Sequence, residues 1–137
     1  MDVTDARARE LVEALLESDP AAMALGMTLG SISAGRVELS QLVTPAMVNG
    51  HAIVHGGYVF LLADTAFAYC CASLERLSVT RTADIAFIAP ARVASTMLAT
   101  ATVRANYGRN LICDVRITDE GGALLAEFRG HGTRTAA

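Results

Sequence analysis

Apolar positions change their spacing three times along these 137 residues, and each change marks a switch between helix and strand. From Asp5 to Ser18, Leu11, Val12, Leu15 and Leu16 recur at intervals of three and four with Arg and Glu opposite, which predicts an amphipathic helix ended by Asp19-Pro20. Over residues 29–43 the period falls to two. Val37 and Leu39 alternate with Arg36, Glu38 and Ser40, and Ile32 stands before Ala34-Gly35, the pattern of a hairpin. Residues 45–54 read as a connecting loop around the turn pair Asn49-Gly50. From Gly56 to about Leu74 the side chains are apolar almost throughout, which predicts a long buried helix. Alternation then returns and stays: 78–88, 95–106, 110–118 and 123–134 read as strands, joined in part by the turns Tyr107-Gly108-Arg109-Asn110 and Asp119-Glu120-Gly121-Gly122. The predicted class is α+β, with a curved antiparallel sheet wrapped around the long central helix, because no other segment is large enough to cover that helix.

Composition narrows the setting. A chain of 137 residues suits one domain over residues 1–137, and 53% hydrophobic against 18% charged content is that of a folded protein. A net charge of −3 with the 11 basic side chains scattered offers no footprint for nucleic acid. Residues 56–74 reach membrane-spanning length, but Asp64 near the centre costs about 2.5–3.5 kcal/mol on insertion, so no membrane partner is expected. The charged, amphipathic first residues do not read as a secretory leader. Cys70, Cys71 and Cys113 form no disulfide framework, which favours a reducing, cytoplasmic setting.

Asp64 is the feature the pattern leaves unexplained. It is the only formally charged side chain between Glu38 and Glu75. Gly56-Gly57 opens the same helix, where the first N–H groups have no intrahelical acceptor, and a glycine lets a substrate atom come close to them. That is the requirement of an oxyanion hole, and Asp64 supplies the complementary carboxylate, able to attack an acyl carbon or take a proton from water. Eight residues separate the two, about 12 Å along a helix axis. Cooperation on one carbonyl therefore requires two subunits, with antiparallel central helices about a two-fold axis and two equivalent sites.

Blander readings of these residues exist. Asp64-Thr65 has the chemistry of an N-cap between two shorter helices. His51 and His55 stand four apart like a helical metal pair, but glycines flank them and no third ligand follows, so metal is expected to be absent. The cysteines read as small core residues, and Arg81, Arg104, Arg109 and Arg129 as a solvated face.

The run MVNGHAIVHGGYVFLLADTAFAYCCAS resembles the hotdog-fold acyl-CoA thioesterases, most closely those of phenylacetic acid degradation. The resemblance extends over essentially the whole chain: Asn49, Gly56 and Asp64 at their spacing, DIAFIAPA from Asp84 to Ala91, Tyr107-Gly108-Arg109, and Phe128-Arg129-Gly130. It implies a homodimer or dimer of dimers, a homotetramer, with intersubunit active sites, hydrolysing aromatic (phenylacetyl- or hydroxyphenylacetyl-type) or medium-chain acyl-CoA with no metal or cofactor. It also implies roles. Asp64 is the catalytic carboxylate, Gly56 the oxyanion donor with Gly57 beside it, Asn49 a polar partner of the water or carboxylate, and His55 a residue lining the thioester. Thr82 stands for a hydroxyl near the nucleophile, and Arg109 for a contact to the phosphates of CoA. Two positions depart from the family pattern, Ala72 in place of Asn and Ala94-Ser95 in place of a Gly-Asp turn. The alternative is a non-catalytic acyl-CoA binding or sensing module in which Asp64 is inert; the hotdog hydratases use a different motif, absent from this chain.

Overall fold

In the computed structural model, which describes residues 2–135, the first helix begins at a sequence-encoded cap. The Thr4 hydroxyl accepts the Arg7 N–H at 3.1 Å, and α1 (Asp5–Glu17) follows, burying Ala8 and Val12. A cap of this kind stabilises a helix by about 1 kcal/mol. Asp19-Pro20 ends α1 as expected and also starts something: the Asp19 carboxylate accepts the Ala22 N–H at 3.1 Å and Pro20 takes the first helical position of α2 (Pro20–Ala24). Pro is suited to that position because its missing N–H would have no partner there. Five residues are too few for periodicity to reveal, so α2 is an addition to the sequence reading.

The expected hairpin is β1 (Thr28–Ser33) with β2 (Arg36–Leu42). A short 3-10 turn at Pro45–Met47 leads through the loop to α3 (Gly56–Ala72), and β3 (Ser78–Phe87), β4 (Thr96–Tyr107), β5 (Asn110–Thr118) and β6 (Leu124–Arg134) complete the chain. The six strands form one antiparallel sheet in the order β1-β2-β4-β5-β6-β3. β3 therefore leaves α3, runs along the far edge beside β6, and the chain crosses back to place β4 beside β2. Its position decides the site, as shown below.

α3 lies on the concave face of the sheet. Val37, Leu39, Met97, Ala99, Ala101, Leu111, Cys113, Val115 and Ile117 are buried beneath it, and the residues between them in those strands, Leu98 and Ile112 excepted, are polar. The α+β arrangement of a sheet wrapped around one helix is the expected one. Among the described residues no helix is long and apolar enough to cross a membrane.

Candidate active site

The segment before α3 is held by Asn49. Its side-chain oxygen accepts the N–H groups of His51 at 2.8 Å and Ile53 at 3.2 Å, and its own N–H donates to the Ile53 carbonyl at 2.8 Å. Asn49 thus ties its loop with the carbonyl end of the amide and keeps the NH2 end as a donor. The His55 N–H donates to the Met47 carbonyl at 2.9 Å, and the His55 carbonyl accepts the Tyr58 N–H at 3.0 Å, which starts the helix with the imidazole exposed. Neither Gly56 nor Gly57 donates its N–H to a backbone acceptor among the described residues. These are the free donors that a helix N-terminus presents.

Gly56 has a second reason to be glycine. A Cβ there would lie 2.9 Å from Cζ of Phe87, the last residue of β3, so the ring rests directly on the helix start. Beyond the ring a cavity of about 490 Å³ is walled by Ile53, Val59, Phe87, Ile88, Pro90 and Leu125. Gly56 lines it too, with its N–H free, whereas the Ile88 and Ala89 N–H groups both donate to the Leu125 carbonyl and Pro90 has none.

Asp64 shares a face of α3 with Phe60 and Phe67, at helical spacings of four and three. Both rings pack against Phe128 of β6, with centroids 5.5 Å and 6.2 Å away. Between them the half-buried carboxylate meets β3, where the Thr80 hydroxyl donates to Oδ1 at 2.9 Å. Asp64 lies inside one continuous helix, so it is not a cap between two shorter ones.

The hydroxyl that bonds Asp64 belongs to Thr80, and Thr82 lies on the other face of the strand. The strands pair Thr80 with Gly132 but Thr82 with His131, leaving Arg81 unmatched in a bulge. Adjacent residues of β6 face opposite sides, so Thr80 turns toward α3 with buried Gly132 and Thr82 turns outward with exposed His131. Without the bulge the two threonines would share a face, and nothing in the local sequence marks the extra residue. Arg109 lies at the β4–β5 turn and donates to the Arg134 carbonyl at 3.2 Å, next to the Arg76 contact with the Gly108 carbonyl at 2.9 Å.

The three cysteines are free and buried. Hydrogen bonding with Cys113, followed by burial, raises the Cys71 thiol far above its ordinary range, and Cys113 is raised chiefly by its bond with Cys70. Protonated, enclosed thiols of this kind are packing groups rather than nucleophiles. Among the described residues no three His, Cys, Asp or Glu side chains gather as metal ligands.

A helix inside an antiparallel sheet, carrying one oriented carboxylate and a pair of free glycine N–H groups, is the hotdog arrangement suited to attack on an acyl carbon. Residues 51–126 match the thioesterase superfamily, and the chain belongs to that family. The acyl-coenzyme A thioesterase PaaI of Escherichia coli is 37% identical over 128 residues, 93% of this chain and 91% of the relative. A putative esterase of Deinococcus radiodurans is 35% identical over 80% of this chain and 75% of its own length. Among solved structures, the PaaI protein from the phenylacetic acid degradation operon of E. coli superposes with a TM-score of 0.96 at 35% identity, over 98% of this chain and 97% of that one. A mutant of the phenylacetic acid degradation protein PaaI from Thermus thermophilus gives 0.81 at 26% identity, over 85% and 100%.

Proposed function

We propose that this protein hydrolyses aromatic acyl-CoA thioesters of the phenylacetyl or hydroxyphenylacetyl type, or medium-chain ones, to the free acid and CoA within phenylacetate catabolism. Thioester hydrolysis is the chemistry of its family, and the 37% identical relative is an acyl-CoA thioesterase. The observation that carries the site is that its two halves meet the same strand: Gly56 lies under Phe87 at one end of β3, and Asp64 is bonded by Thr80 near the other.

That strand is an open edge. β3 pairs only with β6 among the described residues, and Val79, Phe87 and Ile88 are 45%, 57% and 52% exposed. A ten-residue strand left unpaired on one side is a template for another strand. Antiparallel pairing of two β3 edges about a two-fold axis sets the Phe87 end of one protomer opposite the Thr80 end of its partner. Gly56 of one chain then faces Asp64 of the other, which resolves the separation of about 12 Å along a single helix. The working unit is this dimer, alone or as half of a dimer of dimers.

In the reaction the thioester oxygen lies on the Gly56 N–H with the Gly57 N–H beside it. These fixed donors stabilise the negative charge that gathers as the carbonyl carbon becomes tetrahedral. Asp64 either attacks that carbon, forming an anhydride that water then opens, or accepts a proton from an attacking water; both release CoA as thiolate and the acid as product. The Asn49 NH2 orients water or carboxylate, His55 lines the thioester, and Arg109 meets a CoA phosphate. The acyl group enters the cavity beside Phe87, whose apolar walls suit an aryl ring. The buried, unpaired cysteines accord with a cytoplasmic setting.

The test is thiol release from phenylacetyl-, hydroxyphenylacetyl-, benzoyl-, hexanoyl- and acetyl-CoA by wild type and Asp64→Asn. Aryl-acyl preference that disappears with Asp64 supports the reading. Tight binding of the esters with no release from wild type would make this a binding module instead. Mixing Asp64→Asn with Gly56→Val subunits tests the shared site, because one wild-type site re-forms only across the interface.

A further inference from the structure

Phe67 stands three residues after Asp64 on α3, and its ring lies over two glycines in the interior of β6. A Cβ on Gly130 would come within 2.7 Å of Phe67 Cδ1, and a Cβ on Gly132 within 2.9 Å of Phe67 Cζ. Neither glycine has positive φ, so no turn demands them. Glycine inside a strand costs entropy and contributes no packing of its own, which makes two in alternate positions a feature needing a cause. Elsewhere beneath the helix the sheet reaches closeness with alanine, at Ala99, Ala101 and Ala126. Only under Phe67 does it drop to glycine.

The register connects this socket to the carboxylate. Gly132 is paired with Thr80, the residue that bonds Asp64. The ring that lands on Gly132 and the carboxylate that lands on Thr80 thus meet neighbouring positions of one pair of strands, and both hang from a single turn of α3. We propose that Phe67 in the Gly130/Gly132 socket is a positioning device, which sets the depth and rotation of α3 so that Asp64 reaches Thr80 and faces the reacting carbonyl. The inference rests on reading Asp64 as the catalytic carboxylate. Adding one methyl at Gly132 must lift the ring, the turn, or both, by several tenths of an ångström, and misplacement on that scale is enough to slow a reaction that depends on orientation.

The experiment is a double-mutant cycle on thiol release from phenylacetyl-CoA, normalised to folded protein. Gly132→Ala is expected to lower kcat about tenfold or more while KM stays within about threefold. Phe67→Leu, which withdraws the ring tip, is expected to restore part of that kcat when added to Gly132→Ala. In a Thr80→Val background the contact is already gone, so Gly132→Ala is expected to cost far less than in wild type. A purely structural role predicts a lowered Tm with unchanged kcat, or losses that add independently of Thr80, and either result overturns the proposal. Should Gly132→Ala fail to fold, Phe67→Leu is carried through the same cycle with Thr80→Val. Asp64→Asn run alongside separates the two readings: retained activity there overturns the role of Asp64 itself, whereas an inactive Asp64→Asn with a fully active Gly132→Ala overturns the socket alone.

Discussion

The two halves of α3 are treated differently by the rest of the molecule. From Gly56 to Thr65, Gly57 is exposed and Tyr58, Phe60, Leu61, Asp64 and Thr65 are half-buried; from Ala66 to Ala72 every residue but Ala68 is buried. The first half meets the end of β3, the apolar cavity and the open edge, while the second is enclosed by the sheet, α1 and α2. Tyr69 shows the difference in kind. Its hydroxyl donates to the Asp19 carboxylate at 2.8 Å and so fastens α3 to the cap of α2, with burial first and Asp19 second raising its pKa well above that of a free tyrosine. Under the proposed function, one half holds chemistry at a surface that a partner completes, and the other anchors it.

The sharpest way to break this comparison is a change in the first half that costs activity and nothing else. Asp64→Asn keeps the size of the side chain and an acceptor for Thr80, but removes the charge. Loss of kcat by about 10³-fold or more is expected, with Tm nearly unmoved. Near-normal turnover, or a large drop in Tm, would mean that Asp64 belongs with the anchoring half.

Gly56→Ala is next, with an expected loss of about 10²-fold, because the new methyl meets the Phe87 ring and displaces it or the helix start. Adding Phe87→Ala distinguishes steric from electrostatic loss. If the ring is the obstacle, the double variant recovers kcat, and its acyl preference shifts toward bulkier groups through the widened cavity. Failure of the double variant to exceed Gly56→Ala would place the loss in the approach of substrate to the N–H.

How much of this was legible in the sequence follows the same division. Apolar spacing located α1, the hairpin, α3 and the four later strands, because burial on one face enforces a period whatever the partner. It was silent on strand order: β3 lies beside β6, a pairing of residues about fifty apart, and alternation says which face a strand buries but not against which neighbour. Gly56 and Asp64 stood out because a charge and a glycine pair are improbable in an apolar helix. The contact of Thr80 with Asp64 was not legible because a single unmatched residue, Arg81, reverses the face of everything after it. The fit of Phe67 to its surroundings was not legible, since it depends on Gly130 and Gly132, far along the chain.

In the anchoring half the expected effect is smaller and of the opposite type. Tyr69→Phe removes one hydrogen bond and keeps the ring, which is expected to cost about 1 kcal/mol of stability by denaturant unfolding while kcat holds. A variant that lost turnover without losing stability would show the anchor and the site to be one unit.

The smallest effect lies outside both halves, on the outer face of the sheet, and it sets the baseline. Asp114 of β5 takes Arg129 of β6 in a two-pronged pair at 2.6 and 2.9 Å, with Arg104 at 3.3 Å. The Arg129 hydrogen bond leads in holding the Asp114 carboxyl below its usual range. A folded-state pKa depressed in this way gives stability that is present above the unfolded value of about 3.9 and is lost as pH falls through the folded value. Arg129→Gln should therefore lower Tm slightly at pH 6, and the gap from wild type should begin to narrow as pH falls below about 4 and close only as pH passes through the lowered Asp114 pKa of wild type. A gap that does not narrow at all as pH falls would assign the Arg129 contribution to packing of its stem across the sheet. Turnover at neutral pH is expected to match wild type, since this face carries neither the carboxylate nor the donors; a fall in kcat there would show that the site reads strain from the whole sheet, and the boundary between the two halves of α3 would lose its meaning.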